Sequence, residues 1–248
     1  MKGVEKIAML TAYDTPTAAL ADAAGVDIVL IGDSVGNTVL GYASTVPVKI
    51  DDMVRHTAAV SRAKPAALIV ADLPFASAHH NLDRLLDDCA RLVQEGGADA
   101  VKIEGGADMA EKISRLTKAG IAVMGHIGLE PQQVLKLGGY RKFGKTEAER
   151  TKILADAKAL EAAGAFVVLM EMTDADCAKA VTESLSVPTI GIGSGADCDG
   201  QVLVSADVLG LSATPPSFAK RYANVGGIIE KAFREYIADV RGGRFPNK

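Results

Sequence analysis

With 248 residues the chain can form one large domain or two small ones, and its 48% hydrophobic but only 4% aromatic content, without Trp, leaves Ala, Val, Leu and Ile to build the core. A net charge of −4 with no long basic run excludes a phosphate-backbone footprint, so no nucleic-acid partner is expected. No stretch approaches membrane-spanning length, the opening MKGVEKIAML has too short an apolar run for a signal peptide, and Cys89, Cys177 and Cys198 lack CxxC spacing, so a cytoplasmic protein off the membrane is expected.

Eight apolar, β-branched runs follow in order: KIAMLTA (6–12), DIVLIG (27–32), ALIVAD (67–72), AVKIE (100–104), IAVMGH (121–126), FVVLME (166–171), PTIGIG (188–193) and, weakest, DVLGL (207–211). They are continuous rather than alternating, as strands are when both faces of a parallel sheet are covered. Helical patterns lie between them at 51–63, 81–96 and 148–164, and residues 219–243 read as a last helix weakened early by Gly226–Gly227. AAGVD (23–27), EGGAD (95–99), KAGIA (118–122) and AAGAF (162–166) each put glycine where a helix ends and a strand begins, a joint that favours a left-handed residue. Repeated helix-to-strand joints and no linker predict a single (βα)8 TIM barrel over residues 1–248, at 248/8 = 31 residues per unit. A doubly wound open sheet is the alternative.

In either fold, reactive groups gather at the carboxyl ends of the strands. Asp33, Asp72, Lys102, Glu104, His126 and Glu171 all stand there. Asp33 and Asp72 each read as turn or cap acceptors when taken alone. On neighbouring strands they would repel unless a cation lay between them, and oxygen-only ligands favour Mg²⁺ over Zn²⁺. Glu104 is open to two readings, a third metal-site oxygen or a salt bridge with Lys102. Lys102, inside an apolar strand, needs a partner, and it is either a structural ion pair, a Schiff-base lysine or a holder of a substrate carboxylate. Glu171 after FVVLM would gain basicity from burial, as a general base requires, or it is a strand-end cap. His126 is a candidate orienting residue or a satisfied structural histidine. His79–His80 are expected to begin a surface helix. The glycine-rich 188–201 stretch lacks the spacing of a phosphate loop, and the loop 138–150 either closes over the site or is simply solvated.

Taken together, TAYD (11–14), GDSVGNTVLGYASTVPV (32–48), HTAAV (56–60), ADLPF (71–75), VKIEGG (101–106), GHIGLEPQ (125–132), GGY (138–140), GIGSG (191–195), CDGQVLV (198–204) and DVLGL (207–211) resemble the ketopantoate hydroxymethyltransferase (3-methyl-2-oxobutanoate hydroxymethyltransferase) family in one register. The resemblance implies a (βα)8 barrel that transfers a one-carbon unit from 5,10-methylenetetrahydrofolate to 3-methyl-2-oxobutanoate, giving ketopantoate for pantothenate synthesis. It further implies Mg²⁺ on Asp33 and Asp72 with Glu104 as third carboxylate. Asp33, Ser34, Asp72 and Lys102 would hold the oxoacid, and Glu171 would accept the proton. A homo-oligomer, in this family often a decamer, is the implied assembly. Met172, Ser194 and Ser217 stand where relatives often carry cysteine, alanine and a basic residue, which touches loop details rather than the metal site. Two rivals are a phosphoenolpyruvate mutase or isocitrate lyase relative, which would need a reactive-cysteine loop, and a non-catalytic metal or oxoacid binder.

Overall fold

The computed structural model describes residues 2–246, and the chain forms two compact units, Met1–Val202 and Leu203–Lys248. The parallel strands are β1 Ile7–Thr11, β2 Ile28–Ile31, β3 Leu68–Asp72, β4 Ala100–Glu104, β5 Ala122–Gly128, β6 Val167–Glu171, β7 Thr189–Ile192 and β8 Gly200–Leu203, the first seven where the sequence placed them. They form a closed barrel in chain order. Helices Ile50–Ser61, Leu82–Gln94 and Glu147–Ala162 agree with the helical patterns read from the sequence to within two residues at each end. Asn81 and Thr146 begin the last two as side-chain N-caps on Arg84 N and Glu149 N. The four glycine joints hold: Gly25, Gly97, Gly120 and Gly164 all have φ between 77° and 95°.

The expected eighth strand is corrected. DVLGL is not a strand; Ser205–Leu209 is a short helix that Gly210 ends with φ 70°. The strand is instead Gly200–Leu203, inside the stretch read as a glycine-rich loop. Its glycine is what admits it, since a Cβ on Gly200 would stand 2.5 Å from the Ile7 carbonyl oxygen. The short apolar run 207–211 fits a helical turn as well as a strand, and periodicity over five residues cannot separate the two. His79 and His80 do not begin a helix either. Ser77–His79 is a 3₁₀ turn, and the helix starts only after Asn81.

Two apolar layers build the first unit. Ile7, Met9, Ile28, Leu30, Val70, Ala100, Met124, Val167, Leu169, Ile190 and Val202 fill the barrel interior, while Val29, Ile31, Ile69, Val101, Ile103, Val123 and Val168 pack outward against the helices. Because side chains alternate along a strand, residues two steps on share a face. Thus Val70 leads to Asp72, Ala100 to Lys102 and Glu104, Met124 to His126, and Leu169 to Glu171. The interior is apolar in the middle of the barrel and becomes charged at its carboxyl end.

In the second unit, the helix Val225–Arg241 takes in Gly226–Gly227 within its first turn and buries none of its residues. Among the described residues no helix is long and apolar enough to cross a membrane.

Candidate active site

Strand register brings the charged side chains side by side. Asp72 pairs with Lys102 across β3–β4, Glu104 with His126 across β4–β5, and Gly128 with Glu171 across β5–β6. The Lys102 Nζ donates to Asp72 Oδ1 at 2.5 Å, with both side chains buried. The other Asp72 oxygen, Oδ2, accepts the Asp33 backbone N–H at 3.2 Å. Lys102 therefore pairs with Asp72, whereas a salt bridge to Glu104 was one reading of the sequence. An isolated buried ammonium would be driven neutral; burial does pull Lys102 down, but the Asp72, Glu104 and Asp33 carboxylates outweigh it and raise its pKa.

Asp33 lies just beyond β2, buried, and does not cap the short helix Val35–Thr38 that follows; that N-cap is Ser34, and its side chain makes no cap hydrogen bond. The Asp33 carboxylate instead accepts from Gln132 Nε2 at 3.0 Å. Burial first, and then the Asp72 charge, push its pKa up to about 7. Ser34 Oγ is held 2.7 Å from the Tyr13 hydroxyl.

Glu104 is buried with its Oε2 accepting the Gln132 backbone N–H at 3.2 Å and its Oε1 without a hydrogen-bond partner. Burial raises its pKa well above the usual carboxylate range. His126 lies between two carboxyl groups: Nδ1 is 3.6 Å from Glu104 Oε1 and Nε2 is 3.6 Å from Glu171 Oε2. Neither separation is a hydrogen bond. Burial and then the Lys102 charge hold the imidazole well below its ordinary pKa, so it is neutral. A neutral imidazole has one N–H and one lone pair, and it can satisfy both flanking carboxyl groups only when one of them carries a proton. Burial gives both flanking groups that character, raising Glu104 well above the usual carboxylate range and Glu171 to about 8.

Met172, next to Glu171, has φ 45°, a left-handed value for a non-glycine residue. Its turn is fastened on several sides: Leu129 N donates to Glu171 O at 2.8 Å, Phe143 N to Met172 O at 2.8 Å and Met172 N to Ile192 O at 2.8 Å. Ser194 Oγ accepts from Thr173 N at 3.0 Å and donates to Met170 O at 2.8 Å. The loop 138–150 meets the strand end there through Phe143, which bridges Thr173, while Arg141 lies over the Phe143 ring.

The donor set suits a hard cation. Asp33, Asp72, Glu104 and Glu171 crowd four carboxyl groups around one ammonium, and three of them have raised pKa values. Among the described residues, no three His, Cys, Asp or Glu side chains form a ready-made metal cluster. Mg²⁺ does not require one, because it commonly takes one or two carboxylates and completes its shell with water and substrate oxygens. The orphaned Glu104 Oε1 and the Asp33 oxygen not used by Gln132 are oxygens a cation of that kind would take. Gln132 and Tyr13 both lie within the quoted motifs GHIGLEPQ and TAYD, yet the side-chain reading passed over them. Residues that are uncharged at neutral pH and sit outside the strand-end charge pattern give little signal of their own.

A family model described as ketopantoate hydroxymethyltransferase matches residues 1–248. A protein of Caldivirga maquilingensis called 3-methyl-2-oxobutanoate hydroxymethyltransferase is 56% identical over 99% of this chain and 92% of its own length. Relatives under the same name from Moorella thermoacetica and Thermotoga neapolitana are 52% and 51% identical, covering 98% and 100% of this chain and 91% and 92% of theirs. Among solved structures, 2,3-dimethylmalate lyase, a PEP mutase/isocitrate lyase superfamily member, aligns with a TM-score of 0.62 at 18% identity over 98% of this chain and 85% of that one. Phosphonopyruvate hydrolase, solved with oxalate and Mg²⁺, aligns with a TM-score of 0.61 at 15% identity over 96% and 83%. These structures share the barrel fold with the chain. The chain is an enzyme of the ketopantoate hydroxymethyltransferase family.

Proposed function

We propose that the chain transfers a hydroxymethyl group from 5,10-methylenetetrahydrofolate to 3-methyl-2-oxobutanoate, forming ketopantoate through an enolate. The observation that carries this reading is the cluster of four carboxyl groups around Lys102, three of them buried and the half-buried Glu171 raised into the range of a general base. The C3 hydrogen of the oxoacid is α to a ketone and too weakly acidic to leave unaided at neutral pH. Asp33, Asp72 and Glu104 would hold Mg²⁺, which when bound supplies a Lewis acid to the keto and carboxylate oxygens. Lys102 faces the oxoacid carboxylate with a second positive charge, and Ser34, fixed by Tyr13, donates to it. Glu171 takes the C3 proton, and neutral His126 orients its carboxylate from the Nε2 side. The C3 carbanion electrons then form the new C–C bond to the donor's methylene carbon as one of its two C–N bonds breaks, that electron pair going to nitrogen. Water replaces the second C–N bond to give the CH₂OH group, and the two nitrogens of the departing tetrahydrofolate take up the Glu171 proton and the proton released by water.

We also propose a homo-oligomer, with a decamer as the family precedent. On the helix Val225–Arg241, Ile229, Phe233, Tyr236, Ile237 and Val240 recur at i, i+4, i+7, i+8 and i+11 and are all exposed, an apolar stripe that self-association would cover.

Proton NMR of 3-methyl-2-oxobutanoate in D₂O tests the chemistry. With protein and Mg²⁺ the C3–H signal should disappear, and EDTA should preserve it. A signal that persists with Mg²⁺ and methylenetetrahydrofolate both present would refute the enolate reading.

A further inference from the structure

Gln132 lies in the 3₁₀ turn Pro131–Gln133 after β5 and is 9% exposed. Its side-chain Nε2 donates to Asp33 Oδ2 at 3.0 Å and to the Leu73 carbonyl at 2.8 Å. Its backbone N–H donates to Glu104 Oε2 at 3.2 Å. One residue of the β5 loop therefore ties together the chain just past β2, the chain just past β3 and the end of β4. The amide orientation is fixed by this network, because a flipped amide would set its oxygen against two acceptors, Asp33 Oδ2 and Leu73 O.

The consequence concerns which oxygens remain available. Each amide hydrogen of Gln132 is used, and Asp33 meets it through Oδ2, so the contact does not occupy Oδ1. Glu104 is held likewise by Oε2, and its Oε1 is left without a partner. Asp33 and Glu104 come from strands that are not neighbours in the barrel, and no direct hydrogen bond between them is present to set their spacing. An uncharged donor also suits this place better than a lysine would. It binds Asp33 without neutralising the negative charge that would attract a cation.

We propose that Gln132 is a positioning residue that sets Asp33 and Glu104 for divalent-cation binding. This rests on the proposed Mg²⁺-dependent reading of the site. Removing an outer partner of a ligating carboxylate typically costs about 10–100-fold in metal affinity, and a hydrogen bond to a charged group is worth a comparable factor.

The test compares wild type, Gln132→Met and Gln132→Glu by isothermal titration with Mg²⁺ alone, each first checked for folding by circular dichroism. Methionine keeps the volume and removes both side-chain N–H donors, leaving the backbone N–H on Glu104, whereas glutamate puts an acceptor against Asp33 Oδ2 and the Leu73 carbonyl. Both should bind Mg²⁺ about 10–100-fold more weakly than wild type. Their C3–H exchange should recover at saturating Mg²⁺, a recovery that a general structural defect would not show. If either folded variant binds Mg²⁺ as wild type does, the positioning role is overturned while the metal reading stands. If wild type itself does not bind Mg²⁺, the metal reading fails and the inference fails with it.

Discussion

Lys102 shows how a single side chain sets the charge state of the whole site. Buried beside Asp72 at 2.5 Å, it partly offsets four carboxyl groups and holds down the pKa values of Asp33, Glu104 and Glu171. Lys102→Met should destabilise the protein by about 3–5 kcal/mol where those groups are ionised, because it leaves buried carboxylates uncompensated. The loss should be larger at pH 9 than at pH 5, where protonated carboxyl groups need no cation. Thermal unfolding at the two pH values checks this. Glu171 gives a second prediction of defined sign. Its folded pKa of about 8 lies above the ordinary carboxylate value, so the folded state binds the proton more tightly. The resulting stabilisation is complete below about pH 4.5 and is lost as the pH rises through about 8. Glu171→Gln carries no such penalty. It should be more stable than wild type at pH 9 by roughly 1–3 kcal/mol, discounted because the side chain is 20% exposed. The same variant should retain Mg²⁺ binding and lose turnover; activity like wild type would remove Glu171 as the base.

The strand ends are the elements that make these side chains meet, and they tolerate little change. A Cβ on Gly128 would lie 2.3 Å from the Glu171 carbonyl oxygen and 2.5 Å from Thr173 Oγ1, and its φ of 95° disfavours any other residue. Gly128→Ala should therefore cost about 3 kcal/mol or more in stability and displace Glu171. A melt combined with the rate of C3–H exchange reads both effects, and an unchanged exchange rate would show that the β5–β6 contact does not position the base. Much of this element level was legible in the sequence. The step of two from Val70 to Asp72, Ala100 to Lys102 to Glu104, and Leu169 to Glu171 is a strand period, and it puts the charges in line with the barrel interior. The location of β8 was not legible. A run as short as Gly200–Leu203 is recognised by the Ile7 backbone it lies against, and that partner is more than 190 residues away in the chain.

At the scale of the molecule, excess negative charge is the property a cation would change. An ion held only by the folded site raises the unfolding temperature, so on the proposed reading Mg²⁺ should raise that of wild type, with EDTA reversing the shift. Asp33→Asn should abolish most of that shift and raise the metal-free unfolding temperature, since it removes one of the crowded carboxyl groups. A metal-free variant no more stable than wild type would argue that Asp33 is fully neutralised without metal. The apolar stripe on Val225–Arg241 predicts a mass above 25.7 kDa in solution. Phe233→Asp should lower that mass on multi-angle light scattering; a monomeric wild type would exclude the proposed assembly.

The sequence alone determined seven of the eight strands, the parallel α/β class, the family and the charged residues at strand ends, because each follows from local periodicity, turn glycines or contiguous motifs. Only the tertiary structure decided the pairings. It joined Lys102 to Asp72 rather than Glu104, set His126 between Glu104 and Glu171, and brought Gln132 across 99 residues to Asp33. Hydrogen-bond partners depend on strand register and barrel closure, and these are settled by the packing of the whole sheet rather than by the residues beside each group.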